Sequence, residues 1–274
     1  MKYPKLQKSF FVKEDTLQAA KELLGKYLLT DINGEGITGG KIVEVEAYLG
    51  AEDKASHGYN NRRTKRNENL YKEGGNAYVY FCYGMYYLFN VVTGSKNTSN
   101  AVLIRAVEPE IGIDIMIQRK MRRLKSKGDL SINKTFNKTL KINSNINRIA
   151  SGLEKNNIII NRITSGPGLL TIALGIDLRH NGIVICENKN MTIDVNDGNN
   201  FNKFNIINNN NDKNISNNDD DEYKNKLEIW LEDRSVNISN EDIIETARIG
   251  VDYAEEHALL PWRFKIKGNI WVSK

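Results

Sequence analysis

The sequence predicts an α+β fold, a single mixed domain with a curved, largely antiparallel sheet flanked by helices and interrupted by two low-complexity insertions. Three observations carry this expectation. Segments with strand alternation and segments with helical spacing are interspersed, yet no regular strand–helix–strand repeat runs through them and no GxGxxG turn is present. Two tracts, at about 127–162 and 196–226, are loaded with asparagine, and their apolar residues follow no period, so they cannot bury enough surface to offset the entropy of ordering. The rest of the 274 residues, at 40% hydrophobic composition overall, suffices for one large core.

The elements follow in order. DTLQAAKELLGKYLL reads as a helix, with Leu17, Ala20, Leu23, Leu24 and Leu28 at helical spacing and Asp15 or Thr16 as its cap. KIVEVEAYLG reads as a strand, with Val43 and Val45 facing one way and Glu44, Glu46 and Tyr48 the other; a solvated face accounts for Glu44. YVYFCYGMYYLFN, with five tyrosines from Tyr78 to Asn90, alternates and then breaks at Gly84. AVLIRAVEP is an apolar run holding one charge, Arg105, and Pro109 is placed at the first turn of the helix GIDIMIQRKMRRLK. SGPGLLTIALGID is a turn leading into a short apolar helix, and Ser239 with Asp242 resembles a helix cap opening the last block, which ends in LPWRFKIKGNIWVSK.

Bulk properties narrow the function. No run approaches the roughly 18 apolar residues of a membrane span, and the start lacks the apolar stretch of a signal peptide, so a soluble intracellular protein is expected. Cys82 and Cys186 make no disulfide framework, and no Cys or His pair has zinc-site spacing, so neither metal nor cofactor is expected. With 39 Lys and Arg against 34 Asp and Glu, the net charge of +5 is compatible with a polyanionic partner.

Chemistry is suggested at two places. Arg105 inside VLIRAV must reach solvent, pair with a carboxylate or bind a ligand, because an unpaired buried guanidinium is very costly, and Glu46 is its obvious candidate partner. Such a pair is either a structural ion pair or, in a cleft, a carboxylate able to orient a water and accept its proton. His57 lies in AEDKASHGYNNRRTKRN, a loop-like stretch where Arg62, Arg63, Lys65 and Arg66 cluster with Thr64 and Asn67, residue types that bind phosphate oxygens.

EVEAYLGAEDKASHG, RRTKRN, YVYFCYGMYYLFNVV, AVLIRAVEP, SGPGLL, ARIGVDYAEE and LPWRF occur in that order, and together they resemble the alkyladenine (3-methyladenine) DNA glycosylase family over essentially the whole chain outside the asparagine-rich tracts. The resemblance implies an enzyme that flips a damaged purine (3-methyladenine, 7-methylguanine, hypoxanthine or ethenoadenine) out of double-stranded DNA and hydrolyses its N-glycosidic bond. It implies Glu46 as the general base, Arg105 as the arginine that helps hold the water and the carboxylate, and the backbone carbonyl of Ile249 as the water's third ligand. Tyr48 and Tyr80 match the rings that sandwich the base, His57 the histidine closing the pocket, Tyr83 the minor-groove wedge and Asn90 the amide that disfavours guanine. Tyr78, Tyr86 and Tyr87 are left as packing residues, and Arg62, Thr64 and Arg66 are candidates for the DNA backbone.

No lysine falls on a matched pocket position, so a monofunctional glycosylase without strand cleavage is expected. The protein is expected to act as a monomer, in the nucleus of a eukaryote or the cytoplasm of a bacterium. Leu169 stands where the family commonly has a lysine near a DNA phosphate. The basic run RKMRRLKSK, Arg119 to Lys127, either compensates on DNA, serves as a nuclear localisation signal, or is the solvated end of a helix. Two other readings use the same residues. A non-catalytic damaged-DNA-binding module would keep the rings and the basic loop, whereas a hydrolase of free nucleosides would have no need of RRTKRN.

Overall fold

Ile37–Leu49 forms a long strand, β2, around which the rest of the sheet is arranged. A computed structural model of the chain describes residues 3–126, 162–186 and 227–273, so the two asparagine-rich tracts lie outside the described residues apart from Arg162. The other strands are β1 (Tyr27–Ile32), β3 (Ala77–Cys82), β4 (Tyr86–Thr93), β5 (Asn100–Ile111), β6 (Leu227–Glu232), β7 (Ile243–Thr246) and β8 (Arg263–Ile266). They form one curled sheet in the order β3-β4-β5-β2-β1-β6, with β8 beside the second half of β2 and β7 beside β8, and every described pairing is antiparallel. The expected mixed α+β architecture is therefore present. No described helix is long and apolar enough to cross a membrane.

Irregularities in β2 explain its curvature. Its register against β5 shifts between Gly39 and Gly40, between Ile42 and Glu44, and again between Glu44 and Val45. Bulges of this kind bend a strand and raise its twist. They also reset side-chain parity: Ile42, Val45 and Ala47 all enter the main core, although strict alternation would put Ile42 opposite the other two. Pro109 lies within β5 opposite Gly40, next to one of these irregularities, rather than opening a helix; a proline in a sheet is tolerated at such a place.

Among the described residues four α-helices, α1 (Lys8–Phe11), α2 (Thr16–Leu23), α3 (Ile113–Ser126) and α4 (Pro167–Leu174), accompany the sheet. Asp15 caps α2 by accepting from the Gln18 N–H at 2.9 Å. The helix ends at Leu23 rather than continuing through Leu28, because Gly25 takes a left-handed φ of +85° and Tyr27 begins β1. Pro167 at its first turn and left-handed Gly175 at its end bound α4, which buries Leu170, Ala173 and Leu174 in the core. Ser239 Oγ does donate to Asp242 Oδ2 at 2.7 Å, but it precedes a single tight turn and then β7, not a longer helix.

Glu44 is fully buried, which overturns the solvated face expected for it, because β8 and the chain end cover that side of β2. Its carboxylate accepts from Arg105 Nε, Arg263 Nε and Ser273 Oγ, each at 2.7 Å, and from the Ser273 N–H at 2.5 Å. One side chain thus ties β2 to β5, β8 and the C-terminal residues. Burial pushes its pKa up, but Arg105, Ser273 and Arg263 together outweigh that and hold it below the ordinary glutamate value.

Removing this charge should unfold the protein more easily. Glu44→Gln is expected to lose about 3–5 kcal/mol in urea titration, since it leaves buried guanidinium groups underpaired. Because the folded pKa lies below the unfolded one, the contribution is complete above about pH 4.3 and is lost as pH falls through the folded value, so acid titration should expose a stability loss that Glu44→Gln lacks.

Candidate active site

Two residues beyond Glu44 on the same strand, Glu46 is also fully buried. Its Oε1 pairs with Arg105 Nη1 at 3.1 Å and accepts the Ile249 N–H at 2.8 Å, while Oε2 accepts the Tyr48 hydroxyl at 2.9 Å. The Arg105–Glu46 pair expected from the sequence is thus formed, with Glu44 sharing the same guanidinium. Burial works against the Arg105 charge, but Glu46 and Glu44 outweigh it and raise its pKa. Each carboxylate oxygen offers about two acceptor directions, so Oε2 keeps one open while Oε1 is filled. Burial, followed by the neighbouring Glu46 and Tyr80, raises the Tyr48 pKa well above that of a free phenol, so Tyr48 is a donor at any working pH.

A second buried pair holds this arrangement in place. Arg248 Nη1 and Nη2 donate to the two oxygens of Asp53 at 2.5 and 2.8 Å, and to the carbonyls of Ala47 and His257 at 2.9 and 3.1 Å. The guanidinium also lies 4.8 Å from the Tyr48 ring centroid and 5.0 Å from that of Trp262. Asp53 and Arg248 therefore fix both the Tyr48 ring and the peptide that carries the Ile249 N–H. The sequence reading missed them, although Arg248 just before Ile-Gly-Val was a charge in want of a partner, like Arg105.

In front of Glu46 lies a cavity of about 600 Å³. Glu46 does not line it, but its partners Tyr48, Arg105 and Ile249 do, together with His57, Tyr80 and Asn90. Tyr78 and Tyr80 stand on one face of β3 with ring centroids 5.5 Å apart, and His57 meets Tyr80 edge-on at 4.5 Å. His57 Nδ1 shares a hydrogen bond with the Tyr78 hydroxyl at 2.8 Å, and Asn67 Nδ2 donates to the His57 carbonyl at 2.9 Å. Tyr78, read as packing, is buried as expected but also orients the histidine. Burial, then Arg66 and Arg62, lowers the His57 pKa, keeping the ring neutral at pH 7. Asn90 Nδ2 donates to the Tyr78 carbonyl at 3.1 Å. Tyr87 packs on the core, while Tyr86 lines the cavity and packs against Gly168, where any Cβ would stand 2.6 Å from the ring. Leu169 is also in the lining, and no lysine among the described residues is; Lys54 is engaged by Glu255 and Glu256.

At the cavity mouth the β3–β4 hairpin projects Tyr83, 77% exposed, with a φ of +51° followed by Gly84 at +65°. A bulky side chain in the left-handed region is a strained outlier. Arg66 Nη2 braces the hairpin through the Phe81 carbonyl at 2.9 Å. In the same loop Thr64 donates through both N–H and Oγ to Asn67 Oδ1, and Arg63 is neutralised by Glu68 and stacked on Tyr71. Arg62 and Lys65 have no carboxylate partner among the described residues, which leaves Arg62, Lys65 and Arg66 as the loop's available cations.

Comparison with known proteins agrees in direction with the earlier resemblance. The sequence pattern of the methylpurine-DNA glycosylase family matches residues 10–211. A protein of Clostridium botulinum (strain Alaska E43, type E3) is 37% identical over 264 residues, covering 96% of each chain. One from Chlamydia felis (strain Fe/C-56) is 37% identical over 269 residues, 98% of each chain, and one from Clostridium tetani (strain Massachusetts / E88) is 38% identical over 272, covering 98% of this chain and 99% of its own. All three carry the provisional name 3-methyladenine DNA glycosylase.

Two measurements check the geometry without any substrate. By NMR titration His57 should have a midpoint below about 6.5, and Arg66→Ala should move it upward, because one of the cations that disfavours the imidazolium is gone. Tyr83→Asn, which tolerates the left-handed backbone, should leave stability unchanged or raise it by up to about 1 kcal/mol in urea, because the strain at φ +51° is relieved and little packing is lost.

Proposed function

The chain belongs to the methylpurine-DNA glycosylase family, a family of DNA-repair hydrolases that cleave the N-glycosidic bond, and from that premise we propose a mechanism and a substrate range for it. An alkylated or deaminated purine swings out of duplex DNA into the aromatic cavity, and a water activated by Glu46 attacks C1′ of its deoxyribose. As the C1′–O bond forms, the C1′–N bond breaks with its electron pair going to the base, and Glu46 takes the proton. The observation that carries this reading is the buried Glu46 carboxylate behind the cavity wall, held by Arg105, Tyr48 and the Ile249 N–H with one acceptor direction left on Oε2.

The remaining residues take roles that their surroundings permit. The Ile249 carbonyl accepts a hydrogen from the attacking water. Tyr48 and Tyr80 stack on the base, and their electron-rich faces favour the positive charge that alkylation at N3 or N7 confers; this charge also makes the base a good leaving group. Neutral hypoxanthine depends more on pocket hydrogen bonds, which a neutral His57 can supply. Asn90 crowds the exocyclic amine of normal guanine. Tyr83 enters the space that the base vacates, offsetting part of the few kcal/mol that flipping costs. Arg62, Thr64 and Arg66 meet the backbone, and with no lysine among the described residues of the cavity wall to act as a Schiff-base nucleophile, the reaction ends at the abasic site.

Purified protein should release free 3-methyladenine from a methylated duplex. Glu46→Gln should slow single-turnover release by roughly 10²–10⁴-fold while changing duplex affinity little, and an unchanged rate would remove Glu46 as the base. Tyr83→Asn should slow release from duplex much more than from single-stranded substrate, since only the duplex has a stack to refill; equal effects on both would reject the wedge role.

A further inference from the structure

The basic run near the end of α3 is not merely a solvated helix end. Arg119, Arg122 and Arg123, with Arg179 from the turn after α4, line a second cleft of about 420 Å³ whose carboxylates are Glu35 and Asp177. Arg119 is 7% exposed; its Nε holds Glu35 at 2.9 Å and its Nη1 holds Thr38 Oγ1 and the Ala173 carbonyl, while Nη2 is buried with no hydrogen-bond partner among the described residues. Arg122 shares Glu35 at 3.1 Å and Arg179 holds Asp177 at 2.8 Å. Four guanidinium groups thus face two carboxylates, with Asp31 adding a third negative charge near Arg119. Among the described residues, the cleft lining thus carries more guanidinium groups than carboxylates, a composition suited to an anion.

Its position says which anion. Tyr86 is in the wall of both the aromatic cavity and this cleft, so the two lie back to back across the β3–β4 hairpin. Arg123 Nη2 donates to the Met85 carbonyl at 2.6 Å, and Arg66 Nη2 donates to the Phe81 carbonyl at 2.9 Å, so an arginine braces each flank of the projecting tip. Any element entering a minor groove only about 6 Å wide has a row of phosphates on either side of it. The loop holding Arg62 and Arg66 serves one row. We propose that the cleft of Arg119, Arg122, Arg123 and Arg179 receives a backbone phosphate of the other strand, the one opposite the lesion. This rests on the glycosylase reading for the entry of the hairpin into the minor groove.

The test uses the full chain with Arg122→Gln and Arg179→Gln together, both side chains being more than half exposed (61% and 55%), with a thermal melt to verify folding. Binding to a duplex containing hypoxanthine is measured against salt. Expected are a fall of about one to two in the slope of log affinity against log salt and roughly tenfold weaker duplex binding at about 0.1 M salt. Affinity for the single-stranded oligonucleotide and single-turnover release at saturating protein should stay within about twofold. Lysine at both positions should restore the slope. An unchanged slope overturns the proposal, as does an equal loss on single-stranded DNA. Inorganic phosphate that binds the cleft without competing with duplex would assign it to a free anion and also overturn it. If the wild-type protein releases no base yet shows the slope change, the glycosylase reading falls and the phosphate site stands; release with an unchanged slope does the reverse.

Discussion

One guanidinium, Arg105, lies between two fully buried carboxylates, and much of the molecule is arranged around it. Glu44 and Glu46 lie on one face of β2, where two negative charges removed from water would repel each other and neither could be solvated. Arg105 reaches both from the irregular stretch of β5, and Arg263 from β8 brings the cluster to charge balance. The carboxylates are then divided by their partners. Glu44 accepts four hydrogen bonds and is bound into the structure, whereas Glu46 accepts fewer and retains an open lone pair. Two chemically identical side chains a strand repeat apart thereby acquire different capacities: one is a structural anchor, and the other is left with the acceptor capacity that the proposed base requires.

The site outside this cluster is built largely from neutral groups in fixed positions. Tyr48, Tyr78 and Tyr80 are held protonated by burial, and His57 is held neutral by burial and by its arginine neighbours. Apart from Arg105, which Glu44 and Glu46 neutralise, the cavity therefore offers mainly aromatic faces and uncharged hydrogen-bonding groups, with Arg66 at the hairpin on its mouth. Such a distribution suits a planar, often cationic base entering from a polyanion. The hairpin between the rims is strained at Tyr83 and braced by Arg66 and Arg123, so its tip is presented in a set geometry rather than as a loose loop.

Much of this was legible in the sequence where a residue broke a local pattern. A lone arginine in an apolar strand demanded a partner, and Glu46 supplied it; the break at Gly84 in the alternating aromatic run marked where β3 ends and the turn to β4 begins; Pro before an apolar stretch opened a helix at Pro167. What was not legible depended on contacts distant along the chain. Glu44 looked solvated because nothing in KIVEVEAYLG reveals that β8 and Ser273 will cover it, and alternation failed at Ile42 because bulges are set by the partner strand. The helix at Leu17 was extended through Leu28 because its apolar spacing continues, whereas Gly25 and pairing with β2 and β6 decide for a strand. The Asp53–Arg248 pair joins residues 195 apart, so the sequence shows a charge in want of a partner at Arg248 but not which carboxylate answers it.

If Arg105 couples the two carboxylates as the geometry requires, Glu44 should influence catalysis only through Glu46. The most direct measurement is a double-mutant cycle on single-turnover release of 3-methyladenine, comparing wild type, Glu44→Gln, Glu46→Gln and the double variant at a temperature where all four are folded. Coupling predicts that Glu44→Gln slows the wild type appreciably but has little further effect once Glu46 is Gln, giving an interaction energy of about 1 kcal/mol or more. Additive effects of the two substitutions would contradict it.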